Sequence, residues 1–129
     1  MRTQLKVTRD GDAFIARLTP RQVSAMYEAL SYLSERNQGD TELTLLVGAD
    51  REAVDALVER LIGRHTESRD FRLTMAELHM VHSALTAAPT MFTGREGLFA
   101  QEPFHIRLGF YRENFDALAS ALLRAAVEA

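Results

Sequence analysis

The sequence predicts an α+β fold, a two-layer sandwich in which four helices cover one face of a mixed sheet of about five strands. Three observations support this prediction. Short segments alternate apolar and polar residues, as half-buried strands do. Longer segments carry apolar residues at helical spacing. Patterns of the first half recur in the second, which indicates two internally duplicated β-α-β-α modules, residues 13–65 and 70–128, with pseudo-twofold symmetry inside a single domain over 1–129.

An N-terminal hairpin begins the predicted sheet. Residues 4–8 form its first strand, and the turn over residues 9–12 contains the Asp-Gly pair that is typical of tight hairpins. The second strand of the hairpin is also the first strand of the first module, and an equivalent strand begins the second module. Alternating apolar residues mark these two strands: Phe14, Ala16 and Leu18, then Phe71 and Leu73.

Each module is expected to contain a second strand in front of its second helix. Leu43, Leu45 and Val47 lie at alternate positions in the first module. Phe104, Ile106 and Leu108 do the same in the second. Because period two is the spacing of a strand with one buried face, both segments are predicted to be strands.

The four predicted helices have recognisable starts and apolar stripes. Thr19 is an N-cap followed by Pro20 at the first helical position, and Thr74 forms a capping box with Glu77. Asp50 is a natural N-cap for the second helix of the first module. The stripes, in chain order, are Val23, Met26, Tyr27, Leu30 and Leu33; Val54, Leu57, Val58 and Leu61; Leu78, Val81, His82, Leu85 and Ala88; and Phe115, Leu118, Ala119 and Leu122.

The spacing between the two modules changes along the chain. The triplet Arg-Leu-Thr at 17–19 recurs at 72–74, an offset of 55 positions. The segments 47–57 and 108–118 share Gly, Arg, Glu, Asp, Ala and Leu in register, at an offset of 61. The second module therefore has six additional residues, which fall in the stretch 89–103.

This additional stretch is predicted to be a loop, because proline and glycine interrupt it. It contains four bulky apolar residues, Met91, Phe92, Leu98 and Phe99, which is more than a solvated connection needs. One interpretation is that they fold back as a short helical turn and cap the core. The other is that they form a partner-binding or ligand-covering loop, since loops on rigid scaffolds often carry function.

Composition narrows the classes of function. The chain of 129 residues has no cysteine, which excludes a disulfide framework, a thiolate nucleophile and a cysteine-based zinc site. A net charge of −3 without a basic block gives no reason to expect nucleic-acid binding. No leader sequence or apolar run of membrane-spanning length is recognised, so a cytoplasmic protein without membrane contact is expected.

Histidines give the only hint of a metal site. His79 and His82 lie three positions apart on a predicted helix, and His105 follows on a predicted strand. No HExxH motif or carboxylate at ligand spacing accompanies them, and His82 occupies an apolar-stripe position. A partly buried, hydrogen-bonded imidazole is therefore expected at His82, with no metal and no cofactor.

A repeated Arg-Glu-x-x-Asp motif begins the second helix of each module: Arg51, Glu52 and Asp55, then Arg112, Glu113 and Asp116. Paired carboxylates could serve as an acid and a base, but acidic residues are also favoured in the first turn of any helix by its dipole. The motif is therefore interpreted as a helix start, and no catalytic residue is assigned.

The leading hypothesis is a non-enzymatic cytosolic protein that acts through a protein interface, as a homodimer or as an immunity-type or regulatory partner of another protein. Its interface is expected to include Met91, Phe92, Leu98 and Phe99. The alternative is a small-ligand-binding protein or an enzyme with a pocket at the seam between the repeats. The polar candidates for that pocket are Arg51, Arg112, Tyr111, His82 and His105. A concave seam would favour the alternative, and a seam packed with apolar side chains would favour the leading hypothesis.

Overall fold

The computed structural model describes residues 4–35, 39–63, 66–96 and 112–129, with the backbone alone at 92–96. In these ranges the chain forms three strands and five helices. The strands are β1 (Lys6–Asp10), β2 (Ala13–Leu18) and β3 (Arg69–Thr74). The helices are α1 (Pro20–Glu35), α2 (Asp40–Val47), α3 (Arg51–Leu61), α4 (Met75–Glu96) and α5 (Arg112–Glu128).

The α+β class is confirmed, but the predicted five-stranded mixed sheet with four helices is wrong. The described residues form a three-stranded antiparallel sheet in the order β1-β2-β3, accompanied by five helices. The predicted β-α-β-α order also fails in the first module, because a helix replaces its second strand. The corresponding segment of the second module, with Phe104, Ile106 and Leu108, lies outside the described residues.

The segment 40–47 is helical because its apolar residues also satisfy a helical spacing. Leu43 and Val47 are four positions apart and both are buried, whereas Leu45 is 81% exposed. Asp40 lies in the first turn, where a negative charge is favoured by the helix dipole. The alternation of 43, 45 and 47 is therefore fortuitous, and only its two outer members face the core.

The predicted N-terminal hairpin is confirmed, but its first strand is Lys6–Asp10 and not 4–8, and its turn is shorter than the predicted 9–12. β1 and β2 pair in an antiparallel register that closes at Asp10 and Ala13, so the loop consists of Gly11 and Asp12. Gly11 has a φ of 63°, and glycine with positive φ at the first central position is the signature of a type II′ turn. This turn has the twist that two antiparallel strands need.

The predicted helix starts are also confirmed. The Gln22 backbone N–H donates to Thr19 Oγ1 at 3.2 Å, and the Thr19 N–H donates to Gln22 Oε1 at 2.9 Å. The same reciprocal pair joins Thr74 and Glu77, at 3.1 Å and 2.9 Å. Both helices that follow a strand therefore begin with a complete capping box, which satisfies backbone donors that have no partner inside the helix.

The register of β2 and β3 is compatible with a local twofold axis. Ala16 pairs with Phe71, and these two residues are separated by the offset of 55 that relates the Arg-Leu-Thr triplets. Phe14 pairs with Leu73, and Leu18 pairs with Arg69. The same offset of 55 relates Phe14 to Arg69 and Leu18 to Leu73, so a twofold rotation would convert one pair into the other. Helices α1 and α4, which follow these strands, pack against each other. The repeat of 13–65 and 70–128 as a whole stays a prediction.

One face of the sheet carries the core and the other is open. Helices α1, α4 and α5 contact the strands, while α3 packs on α1 and α2 packs on α4. Side chains of the core face are buried, among them Val7, Phe14, Ala16, Leu18, Phe71 and Leu73. By the register, the open face carries two apolar residues, the buried Ala13 and the half-buried Ile15. Its other side chains are polar: Lys6, Thr8, Asp10, Arg17, Asp70, Arg72 and Thr74.

Helix α4 extends into the stretch that was predicted to be a loop. It continues through the buried Pro89 to Glu96, so the first eight residues of the predicted loop over 89–103 are helical. A proline inside a helix removes one backbone hydrogen bond and costs about 3 kcal/mol. The proline and the neighbouring Ala88 are both buried. Across the described ranges, no helix has the length and apolar character needed to cross a membrane.

Candidate functional site

Arg51, a predicted ligand-binding residue, joins the ends of three helices. Its Nε donates to Asp40 Oδ1 at 2.6 Å, and its Nη1 donates to the backbone oxygen and Oγ of Ser34 at 2.7 and 3.0 Å. Ser34 Oγ in turn donates to Asp55 Oδ1 at 3.1 Å. The guanidinium thus satisfies a carbonyl in the last turn of α1, where backbone acceptors lack helical partners. Arg51 therefore has a structural use in the described fold.

The other polar candidates lie on different elements from Arg51. Arg112 begins α5, and its Nε is 3.7 Å from Asp116 Oδ2, one turn further along the helix. His82 is half-buried on α4. Tyr111 and His105 lie outside the described residues. The role of all five in binding a ligand stays a prediction.

The two described histidines occupy helix α4. His82 is half-buried as expected, but its imidazole makes no hydrogen bond to any described residue. His79 lies against Gly48, the residue that ends α2 in a left-handed conformation and donates its N–H to Thr44 O at 2.8 Å. Within the described part of the chain, no group of three or more metal-binding side chains is present.

The contact between Gly48 and His79 leads to a stability prediction. A Cβ atom at position 48 would lie 2.7 Å from His79 Cε1, and the backbone φ of 76° is unfavourable for any residue with a side chain. We expect Gly48→Ala to lower the free energy of unfolding by about 1–2 kcal/mol in urea denaturation. Gly48→Ala should cost less stability in a His79→Ala background than in the wild-type background, because the clash with the imidazole is then absent. Additive losses would show that the imidazole does not contact position 48.

The seam between the two predicted modules is packed with apolar side chains. At this seam β2 pairs with β3, and α1 packs on α4. Several apolar residues of these four elements are at most 1% exposed, among them Phe14, Ala16, Leu18, Met26, Leu30, Leu73, Val81 and Leu85. Protein interiors of this kind are close-packed and leave little room for a ligand. The described part of the seam therefore has the form that favours the protein-interface hypothesis.

A groove of about 550 Å³ lies away from the seam, inside the first module. Its walls are the first half of α1 and the end of α3. The lining residues include the apolar Pro20, Val23, Tyr27, Leu61 and Ile62, with Arg21, Ser24, Glu28, Gly63 and Thr66 around them. Of the predicted pocket residues that the structure describes, Arg51, His82 and Arg112, none lines this groove.

The residues predicted to form a partner interface are only partly described. Met91 is half-buried and packs against the core, which agrees with the core-capping interpretation. Phe92 lies within α4, and nothing further is described for its side chain. Leu98 and Phe99 lie outside the described residues. Their role at an interface stays a prediction.

An exposed apolar surface on α5 escaped the sequence analysis. Leu123 and Val127 are one helical turn apart, and they are 54% and 75% exposed. With Asp116 and Ser120 they form a stripe, here termed the outer surface of α5, away from the buried stripe of Phe115, Leu118, Ala119 and Leu122. The sequence did contain a signal for this surface, namely two large apolar residues at helical spacing outside the main apolar stripe.

The open face of the sheet is balanced in charge. Arg17 Nη1 is 3.2 Å from Asp70 Oδ1, and Arg72 Nε is 3.1 Å from Asp10 Oδ2. Both pairs cross between strands and all four side chains are more than half exposed. A face on which the two arginines have carboxylate partners, with Lys6 as the one further cation of its described side chains, is a poor match for a polyanion.

Comparison with known proteins adds no relative: no family model, no curated protein and no solved structure matches this chain.

Proposed function

We propose that this chain is a non-enzymatic, cytoplasmic protein-interaction module, of an immunity or regulatory type, whose partner binds the outer surface of α5. The observation that carries the proposal is the pair Leu123 and Val127, which are large, apolar, adjacent and more than half exposed. Single exposed apolar residues are common on protein surfaces. Two such residues on one helical stripe have the spacing with which helices bind a groove or another helix.

The size of the expected effect follows from the exposed area. Complete burial of a leucine or valine side chain is worth about 1.5–3 kcal/mol. Since both side chains are already partly covered, a partner would gain about 1–2 kcal/mol at each of them. A loss of about 1.4 kcal/mol corresponds to a tenfold weaker complex, so each residue should have a measurable contribution.

Two further features support a binding role without catalysis. The seam, where a shared pocket was the alternative, is packed with buried apolar side chains. The guanidinium of Arg51, the best-placed polar candidate, is bonded to Ser34 and Asp40. The paired charges of Arg17 and Arg72 on the open face support a protein partner over a nucleic acid.

A photo-crosslinking experiment tests this proposal. A photoreactive amino acid is placed at position 123 or 127, or at the exposed Ala56 of α3 as a control, and the natural host cells are irradiated. We expect positions 123 and 127 to capture the same protein and position 56 not to capture it. In calorimetry with that purified protein, Val127→Asp should weaken binding about tenfold or more, because a buried carboxylate replaces an apolar contact.

The matched control is Ala56→Asp, which adds the same charge to an exposed position of a different helix. It should bind the partner with the affinity of the wild-type protein. Equal binding by Val127→Asp and the wild-type protein would contradict the proposal, as would equal crosslinking from all three positions.

A further inference from the structure

The two edges of the sheet differ in whether their backbone groups have partners. At the β3 edge, Arg60 of α3 donates to the backbone oxygen of Arg72 and forms an ion pair with Glu77. Glu77 also accepts from the Thr74 N–H. Backbone groups of alternate residues point to the same edge of a strand, and those of Arg72 and Thr74 face away from β2. The carbonyl of Arg72 and the N–H of Thr74 are thus both hydrogen-bonded to side chains. Strand addition at this edge would have to displace them.

The β1 edge has no such cover in the described structure. The two-residue loop makes Asp10 and Ala13 a hydrogen-bonded pair, so the backbone groups of Lys6, Thr8 and Asp10 point toward β2. The backbone N–H and C=O groups of Val7 and Arg9 consequently point away from β2, toward the free edge of the described sheet. Neither residue has a hydrogen bond to a described residue apart from the pairing with β2. An edge of this kind can accept another strand.

The sequence of β1 is complementary to itself in one antiparallel register. If Thr8 lies opposite Thr8 of a second copy, Val7 and Arg9 exchange backbone hydrogen bonds with Arg9 and Val7 of that copy. In the same register, Lys6 lies opposite Asp10 of the second copy, twice by symmetry. Cross-strand pairs of opposite charge and pairs of threonines are both favourable. Moving the register by two residues loses these ion pairs, and one such shift places Arg9 opposite Arg9.

The surroundings of Lys6 extend this complementarity. A cleft between the start of β1 and the end of α5 is lined by Lys6, Arg124 and Glu128, among others. Neither Lys6 nor Arg124 has an ion-pair partner among the described residues. In the register centred on Thr8, the turn of the second copy follows directly after its Asp10 and lies at this end of β1. That turn carries the fully exposed Asp12, which lies 3.9 Å from Arg72 of its own chain. The turn would meet the two cations Lys6 and Arg124 and the single carboxylate Glu128 of the cleft, which is a net attraction.

We propose that two copies of this chain associate through β1, antiparallel and centred on Thr8, to form one continuous sheet. This inference goes beyond the proposed function, since it assigns a second surface and a different occupant. A single strand pair buries little area, which places the dimer in the weak, reversible class. Its ion pairs are exposed, so salt should weaken it.

Sedimentation equilibrium of charge variants tests the register, at protein concentrations from about 10 μM to about 1 mM. Lys6→Asp and Asp10→Lys each place like charges opposite one another in a homodimer, so each should dimerise about tenfold more weakly than the wild-type protein. In an equimolar mixture of the two variants, an acidic strand lies opposite a basic strand with opposite charges at both ends, which should restore the dimer. A monomeric wild-type protein, unaffected single variants or a mixture that stays monomeric would each overturn the proposal.

A backbone variant tests the edge itself. Arg9→Pro removes an outward N–H and leaves the pairing with β2 intact, since that N–H does not point toward β2. It should abolish the dimer while circular dichroism shows a folded protein. Val127→Asp should dimerise like the wild-type protein, which separates this surface from the outer surface of α5. A dimer that survives Arg9→Pro, or is lost in Val127→Asp, would place the contact elsewhere and overturn the proposal.

Discussion

Phe115→Ala is expected to lower the free energy of unfolding by about 3–5 kcal/mol, because it removes a large side chain from the core. Phe115 is fully buried on the inner side of α5, and α5 packs on α4 and β1. Removing the ring deletes its apolar burial and leaves a cavity that the surrounding side chains only partly fill. For a domain of this size, such a loss is a large part of the total stability.

The matched control is Leu123→Ala at an exposed position of the same helix. Leu123 is 54% exposed, so its truncation should change the stability by less than about 0.5 kcal/mol. Urea denaturation followed by circular dichroism measures both variants, with the denaturant midpoint as the quantity compared. Equal losses in the two variants would mean that α5 does not present its Phe115 side to the core.

These two residues also bear on how exposed apolar side chains are interpreted. If Leu123 contributes little to stability and much to partner binding, its apolar character is explained by the partner. Phe115 would show the reverse pattern. The effect of each substitution on stability, compared with its effect on partner binding, therefore distinguishes an interface residue from a core residue on the same helix.

Local signals in the sequence predicted much of the fold. Thr19, Thr74 and Asp50 were placed at helix starts because a side-chain oxygen at such a position satisfies a backbone N–H of the first helical turn. The hairpin was predicted because Gly11 allows a turn that other residues resist. Each of these features depends on residues within four positions of one another, which is why the sequence alone revealed them.

The errors arose where a local pattern had two solutions. Residues 43, 45 and 47 fit a strand by alternation, but 43 and 47 also fit one side of a helix. Packing against α3 and α4 decides between these solutions, and that contact is not visible in the local sequence. In the same way, helix α4 continues through the buried Pro89, although proline usually marks the end of a helix.

The candidate site was less predictable than the fold. Arg51 was recognised as unusual because its motif recurs, but its partners Ser34 and Asp40 lie on other helices, and no spacing rule links them. The apolar pair on α5 was not predicted, because each helix was expected to carry a single apolar stripe. A count of apolar residues left outside each stripe would have found Leu123 and Val127.

Arg51→Met is the second change with a large expected effect, about 2 kcal/mol of lost stability. Hydrogen bonds to charged groups are worth about 1.5–3 kcal/mol each when they are protected from water. The Arg51 side chain is only 32% exposed and makes three such bonds, to Asp40 and Ser34, but the partner Asp40 is 75% exposed. We therefore expect the total loss of stability in Arg51→Met to be close to the contribution of one hydrogen bond that is protected from water. The substitution retains the apolar stem of the side chain, so the loss reports on the bonds.

Arg17→Met provides the matched comparison, because Arg17 pairs with Asp70 on the open face with both side chains more than half exposed. Exposed ion pairs contribute about 0–1 kcal/mol, so this variant should remain close to the wild-type protein in urea denaturation. A double-mutant cycle of Arg51→Met with Asp40→Asn should show a coupling energy of about 0.5–1 kcal/mol. If Arg51→Met is as stable as Arg17→Met and the cycle shows no coupling, the three helix ends are not joined by this guanidinium. The guanidinium of Arg51 would then be free to bind a ligand, which would support the alternative hypothesis of a ligand site.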